Sequence, residues 1–287
     1  MTAWAYRAPL SIRNHSVAMT APHTIAKDTE ELTACWAQSP FPSIKTTSYF
    51  SVYAQLFGHL RNTDSTFVET GILDGGSLFM WRNWLGPKAR IIGVDLNPEA
   101  KKWESQGFEI HIGDQGDPAF WSEALPKMGQ IDAFLDDGGH QSFQQIVTVS
   151  ALVDYCQHDC VVAVEDTYTS FMKDFSSHGP HSFLEYAKDA TDCIVGRSFD
   201  LYKDRFETPV NSKSIREFSK VFSIQFFNGI VAFQVSPSRC VPAQLVRNKQ
   251  ERRATDFRYA GRNSAVVPWP DIRAENLVVI TGGAKEK

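Results

Sequence analysis

The stretch IDAFLDDGGHQSFQQIVTVSALVDYC, residues 131–156, runs from an apolar segment into two carboxylates, two glycines and a histidine, then into a second apolar segment. Residues 131–137 read as a buried strand, and 142–156 carry the spacing of a helix. Asn-Gly or Asp-Gly would be enough to turn the chain between them. The adjacent Asp136 and Asp137 repel each other unless a cation, a proton or a hydrogen-bond donor compensates. The turn therefore has to be explained by chemistry as well as by chain reversal.

The same strand-then-helix unit recurs on both sides of this stretch. Upstream, STFVET (65–70), ARIIGVDL (89–96) and FEIHIGD (108–114) read as strands. The helices SLFMWRNWL (77–85), PEAKKWES (98–105) and DPAFWSEAL (117–125) follow them in turn. Downstream, CVVAVED (160–166) is a fifth strand, and HSFLEYAKDA (181–190) lies in a helix. VFSIQFF (221–227) and IVAFQV (230–235), separated by Asn228-Gly229, form a two-residue hairpin. SYFSVYAQLFGHL (48–60) predicts a helix covering the sheet. The fold class that follows is α/β, a Rossmann-like seven-stranded sheet of five parallel strands plus an antiparallel hairpin, with helices on both faces. Right-handed crossovers place all the parallel strand ends on one rim.

The chain of 287 residues accommodates one such domain, at 46–235, between an N-terminal extension (1–45) and a C-terminal extension (236–287) expected to pack on the same domain. Residues 1–27 contain Arg7, Arg13 and Lys27 and no acid, faintly like a transit segment, and are expected to form an irregular arm. The balance of 29 basic and 33 acidic side chains, net charge -4, implies no pull toward nucleic acid. The basic run RNKQERR (247–253) reads as solvated surface. Five scattered cysteines read as reduced thiols of a cytoplasmic protein. No window reaches the roughly 18 apolar residues of a membrane span.

Every parallel strand ends in or beside a carboxylate: Glu69, Asp95, Asp114, Asp136 with Asp137, and Glu165 with Asp166. Such a rim is where open α/β sheets bind ligands. ETGILDGGS (69–77) is a glycine-rich turn in which Gly71 and Gly75 allow close approach to a ligand and Ser77 opens the next helix. The turn lacks the G-x-G-x-x-G spacing that seats a pyrophosphate, and Glu69 suits a cationic ligand better than phosphates. Asp95 is placed to accept both hydroxyls of a ribose. Asp114 and Gln115 are expected at an adenine edge, and Asp136 on the cofactor side of the rim. Adenine, ribose and a positively charged amino-acid tail together describe S-adenosylmethionine.

The motifs E-T-G-x-x-x-G-G-S, G-V-D, G-D-Q, D-D-G-G-H and V-E-D-T, in that order, resemble those of the class I S-adenosylmethionine-dependent methyltransferases. More narrowly, they resemble the metal-dependent sugar O-methyltransferases of macrolide biosynthesis (the mycinamicin type) and the related cephalosporin-cluster proteins. Leu73 and Asp74 depart from the pattern, which has small residues there, and Tyr168 stands where relatives often have histidine. The resemblance implies a Mg²⁺ on Asp137, Glu165 and Asp166, with His140 as general base and Asp137 shared with catalysis. Three carboxylates would leave about three octahedral positions for water or substrate. A metal there would relieve the repulsion at DDGGH.

The expected function is a Mg²⁺-dependent O-methyltransferase acting on a hydroxyl of a sugar, glycoside or small natural product, as a homo-oligomer with no nucleic-acid or membrane partner. A catechol-type methyltransferase is the nearest alternative, and an NAD-dependent oxidoreductase the alternative of a different class. Tyr168 and Phe171, after the last rim acids, are the expected acceptor contacts; His181 is not expected to take that role.

Overall fold

Parallel strands buried on both faces are near-continuous apolar runs, and five of them organise the chain. A computed structural model describes residues 22–175, 182–197 and 217–241. The region of His178 and His181, the basic run 247–253 and the rest of the C-terminal extension beyond residue 241 lie outside these. The parallel strands are β1 (Thr66–Thr70), β2 (Arg90–Asp95), β3 (Glu109–Ile112), β4 (Ala133–Asp136) and β5 (Cys160–Val164). Strands β6 (Val221–Phe226) and β7 (Val231–Val235) close the edge beyond β5, with β7 antiparallel to both neighbours. Strand order is β3-β2-β1-β4-β5-β7-β6. The seven-stranded sheet matches the expected fold class.

The order reverses direction between β1 and β4, which makes their C-terminal ends a topological switch point. Register sharpens this, because Thr70 pairs with Asp136 and Asp136 with Val164. Gly71, Asp137 and Glu165 therefore emerge from the sheet at one level.

Helices are α1 (Pro22–Ala37), α2 (Tyr49–Phe57), α3 (Gly76–Leu85), α4 (Pro118–Met128), α5 (Ser142–Tyr155) and α6 (Phe183–Gly196). The segment expected as a short helix after β2 is a 3-10 helix, Pro98–Gln106. Alternate strand residues supply two cores. Phe67 and Leu135 pack beneath α2 and α3 with Phe57 and Trp81. Val68 and Phe134 pack beneath α4, α5 and α6 with Trp121, Leu152 and Phe183. Each fully buried large side chain contributes roughly 1.5–3 kcal/mol relative to exposure, so both faces are firmly held.

The N-terminal side differs from the expected irregular arm, since residues 22–37 are helical and α1 packs on α2 and α3. Leu32 is completely buried, and Ile25, Cys35 and Trp36 pack against the same core. Arg61 pairs with Asp28 and Glu31, tying α1 to the end of α2. A helix dense in Lys, Asp, Glu and Thr shows its apolar stripe only when the packing partner is known. From α1 the chain crosses the rim, where Phe41 packs edge-on against Trp103, and reaches Lys45 before α2 begins. Among the described residues no helix is long and apolar enough to cross a membrane.

Candidate active site

The loop after β1 is shaped by backbone that only glycine adopts freely. Gly71 has φ +83°, and a Cβ there would lie 2.1 Å from the carbonyl oxygen of Asp137. The β1 and β4 loops thus touch backbone to backbone. Gly75, in left-handed conformation, caps α3. The same loop is pinned from β2, because Oδ2 of Asp95 accepts the amides of Ile72 and Leu73, both at 3.1 Å. Oδ1 of Asp95 accepts the amide of Asn97 at 2.8 Å. A carboxylate offers about four lone-pair sites, so Asp95 keeps capacity for a ligand's hydroxyls.

Beside this loop lies a cavity of about 510 Å³, within the roughly 300–1,000 Å³ of small-molecule sites. Gly71, Ser77, Asp95, Asp114 and Gln115 line it, together with Asp137, His140 and Asp166. Ile44, Leu73 and Leu96 add apolar wall while remaining largely exposed.

Three residues expected at the cofactor lie in or under the floor instead. Gln115 is buried, and its Nε2 donates to both oxygens of Asp136, at 2.9 and 3.1 Å. Its Oε1 accepts the Gly139 amide at 2.9 Å. The side-chain amide ties β3 to the β4 turn, and the residue lines the cavity. Asp136 is fully buried in that tie, where burial raises its carboxyl above the usual range against the pull of Gln115. Gly138 is required there because a Cβ would fall 1.7 Å from Gln115 Oε1. Glu69 is also fully buried. Ser77 Oγ donates to its Oε2 at 2.6 Å, and the Lys45 ammonium sits 3.3 Å from its Oε1. Burial raises the Glu69 carboxyl, with Lys45 opposing.

In the same cavity Asp137, His140 and Asp166 bring one donor atom each within 4.8 Å of one another. His140 Nε2 lies 3.9 Å from Asp137 Oδ1 and 3.5 Å from Asp166 Oδ2. Its Nδ1 is buried with no hydrogen-bond partner. His140 and Asp166 both hold left-handed backbone, φ +55° and +53°, a conformation that costs non-glycine residues of order 1–3 kcal/mol and clusters at functional sites. Thr169 fixes the turn by donating its hydroxyl to the His140 carbonyl at 2.9 Å.

Glu165, expected beside Asp166, is not part of that group. It is buried, accepts the Tyr53 hydroxyl, and faces the Lys45 ammonium at 3.2 and 3.5 Å. Burial drives its carboxyl well above the usual range, with Lys45 pulling the other way. Burial would lower Lys45, but Asp137 and Glu165 outweigh it and hold the ammonium well above its ordinary value. Lys45 also reaches Asp137 Oδ2 at 2.5 Å, and Tyr49 donates to Asp166 Oδ1 at 2.7 Å.

Lys45, Tyr49 and Tyr53 were not read from the sequence as site residues. Tyr49 and Tyr53 fall within the helix expected at 48–60, and Lys45 within the N-terminal extension; their signal is a spacing of four. Tyr168 and Phe171, the expected acceptor contacts, are exposed on the 3-10 helix Thr167–Phe171 after Asp166, and do not line the cavity. His111 pairs with Glu109 at 2.8 Å.

No family model matches the chain. The chain is 30% identical over 135 residues to the 8-demethyl-8-alpha-L-rhamnosyl tetracenomycin-C 2'-O-methyltransferase of Streptomyces olivaceus. That match covers 45% of this chain and 35% of the relative, so the chain spans about a third of the curated protein's length. Among solved structures, the MycE methyltransferase of the mycinamycin biosynthetic pathway, with Mg and SAH, superposes with a TM-score of 0.61 at 18% identity. It covers 90% of this chain and 60% of MycE. The MycE complex with Mg, SAH and mycinamycin VI gives 0.59 at 19% identity, covering 73% and 53%. The resemblance read from the five motifs is borne out, and the fold is that of these methyltransferases.

Proposed function

We propose that this chain is an S-adenosylmethionine- and Mg²⁺-dependent O-methyltransferase acting on a sugar hydroxyl of a natural product. One observation carries the reading: Asp137, His140 and Asp166 converge on the same cavity that Asp95, Asp114 and the glycine-rich loop line. The curated relative's name, a rhamnosyl 2'-O-methyltransferase, supports a sugar acceptor.

The residues fit the metal. Cis ligands of an octahedral Mg²⁺ lie about 3 Å apart, and one donor atom each of Asp137 and Asp166 lies within 4.8 Å of the other. Glu69, Asp137 and Glu165 surround the single Lys45 ammonium, and Asp166 takes the neutral Tyr49 hydroxyl, so negative charge is left over for a cation. When bound, the cation supplies Lewis acidity that lowers the pKa of a hydroxyl it contacts.

The chain's own residues do the rest. Asp95 holds ribose hydroxyls while its bonds to Ile72 and Leu73 keep the loop closed on the donor. In the transfer, the acceptor oxygen bonds to the methyl carbon as the carbon–sulfur bond breaks, and the sulfonium becomes a neutral thioether. The hydroxyl proton passes to Nε2 of His140. In-line placement of oxygen, carbon and sulfur contributes alongside the base.

The test is methyl transfer from S-adenosylmethionine to rhamnosides, other glycosides and catechols, with and without EDTA, beside calorimetric titration with S-adenosylmethionine and NAD. Mg²⁺-restorable transfer to a glycoside supports the reading. Full activity in chelator removes the metal; NAD binding without S-adenosylmethionine binding overturns it altogether.

A further inference from the structure

Three side chains spaced by four residues, Lys45, Tyr49 and Tyr53, reach the rim from the chain entering α2, and each takes a carboxylate. Lys45 Nζ holds Asp137 Oδ2 at 2.5 Å, leaving Oδ1 toward His140 Nε2. Tyr49 holds Asp166 Oδ1 at 2.7 Å, leaving Oδ2 toward the same nitrogen. Tyr53 and Lys45 together hold Glu165, whose side chain is only 2% exposed. Each aspartate therefore has one oxygen tied inward and one presented to the cavity, whereas Glu165 presents none.

We propose that Lys45, Tyr49 and Tyr53 form the positioning clamp of the metal site, with Glu165 as the counter-ion of Lys45, so that the divalent cation rests on Asp137 and Asp166. The inference rests on the function proposed above, and departs from the three-carboxylate set that the motif resemblance implies. A divalent cation on Glu165 would stand next to the Lys45 ammonium in a site closed to water, where like charges repel with little screening. Expelling Lys45 would strip Glu69 and Glu165 of the cation that compensates their burial. On Asp137 Oδ1 and Asp166 Oδ2 a cation leaves Lys45 in place on Glu69 and Glu165, and shares with it only the Asp137 carboxylate, whose Oδ2 takes the ammonium. Outer partners of this kind fix the orientation of ligating carboxylates, and their loss typically lowers metal affinity 10–100-fold.

Mn²⁺ binding to the full chain, followed by loss of the free-ion electron paramagnetic resonance signal, tests this without turnover. Asp166→Asn is expected to weaken binding by more than about 100-fold, Tyr49→Phe by about 10-fold, and Glu165→Gln by less than about threefold. Circular dichroism establishes that each variant is folded. Should Glu165→Gln fail to fold, Lys45→Met/Glu165→Gln leaves neither of that charged pair buried without its partner, and is expected to bind Mn²⁺ within about threefold of Lys45→Met alone, which itself loses about 10-fold. Glu165→Gln, or the folded double variant, losing as much affinity as Asp166→Asn overturns the proposal, as does Tyr49→Phe binding like wild type. Either result leaves the metal-dependent function standing. A wild-type chain that binds no Mn²⁺ overturns both.

Discussion

The two halves of the rim hold their acids in opposite ways. On the β2–β3 side, Asp95 and Asp114 accept backbone amides of nearby turns. Asp95 binds Ile72, Leu73 and Asn97, and Asp114 Oδ1 accepts the Gly116 amide at 2.7 Å. On the β4–β5 side, the acids depend on side chains from far along the sequence. Asp137 and Lys45 are 92 residues apart, Glu165 and Tyr53 112, and Asp166 and Tyr49 117. Backbone amides give a neutral, fixed cradle suited to an uncharged ribose. Ammonium and phenol hydrogens can offset charge and aim individual oxygens, which a cation site needs.

Substitutions on the two sides should accordingly separate binding from turnover. On the β4–β5 side, Asp137→Ala is expected to lower turnover on the order of a thousandfold, several kcal/mol of transition-state stabilisation. Calorimetry should find S-adenosylmethionine affinity nearly unchanged. His140→Ala is expected to cost turnover about a hundredfold or more, the usual range for a lost general base, while Mn²⁺ binding persists. Single-turnover methyl transfer at saturating metal checks that outcome.

Across the rim, Asp95→Ala removes charge-assisted hydrogen bonds worth about 1.5–3 kcal/mol. Cofactor affinity should fall on the order of 10–100-fold, with turnover at saturating cofactor largely kept. A turnover defect without an affinity defect would erase the division between the halves. Gly138→Ala drives a Cβ into Gln115 Oε1 and should destabilise the fold by about 1–3 kcal/mol, as overpacking does. A thermal melt shifted down by several degrees, with cofactor affinity changed little in the fraction that folds, would place the Gln115–Asp136 tie in the scaffold.

The strands, their order along the chain and the rim were legible because apolar runs alternating with helical spacing specify a parallel sheet locally. DDGGH was legible for the same reason, since its strain and charge lie within a few residues. Gln115 and Asp136 were legible as rim residues because each ends a strand. Only the packing of the β3 loop against the β4 turn reveals that they satisfy each other. Glu165 looked equivalent to Asp166, its neighbour, until residues over a hundred positions away divided the pair. Helix α1 and Lys45 were hidden because their partners, Arg61 and the rim acids, are remote. Sequence spacing reports the local backbone, and burial of charge is decided by distant partners.

Anomalous diffraction from a crystal grown with Mn²⁺ and S-adenosylhomocysteine tests the central claim most directly. A single strong peak is expected between Asp137 Oδ1 and Asp166 Oδ2, about 2.1–2.2 Å from each, at the end of the cavity facing the cofactor sulfur. No peak there, or Mn²⁺ bound only elsewhere on the chain, would contradict it.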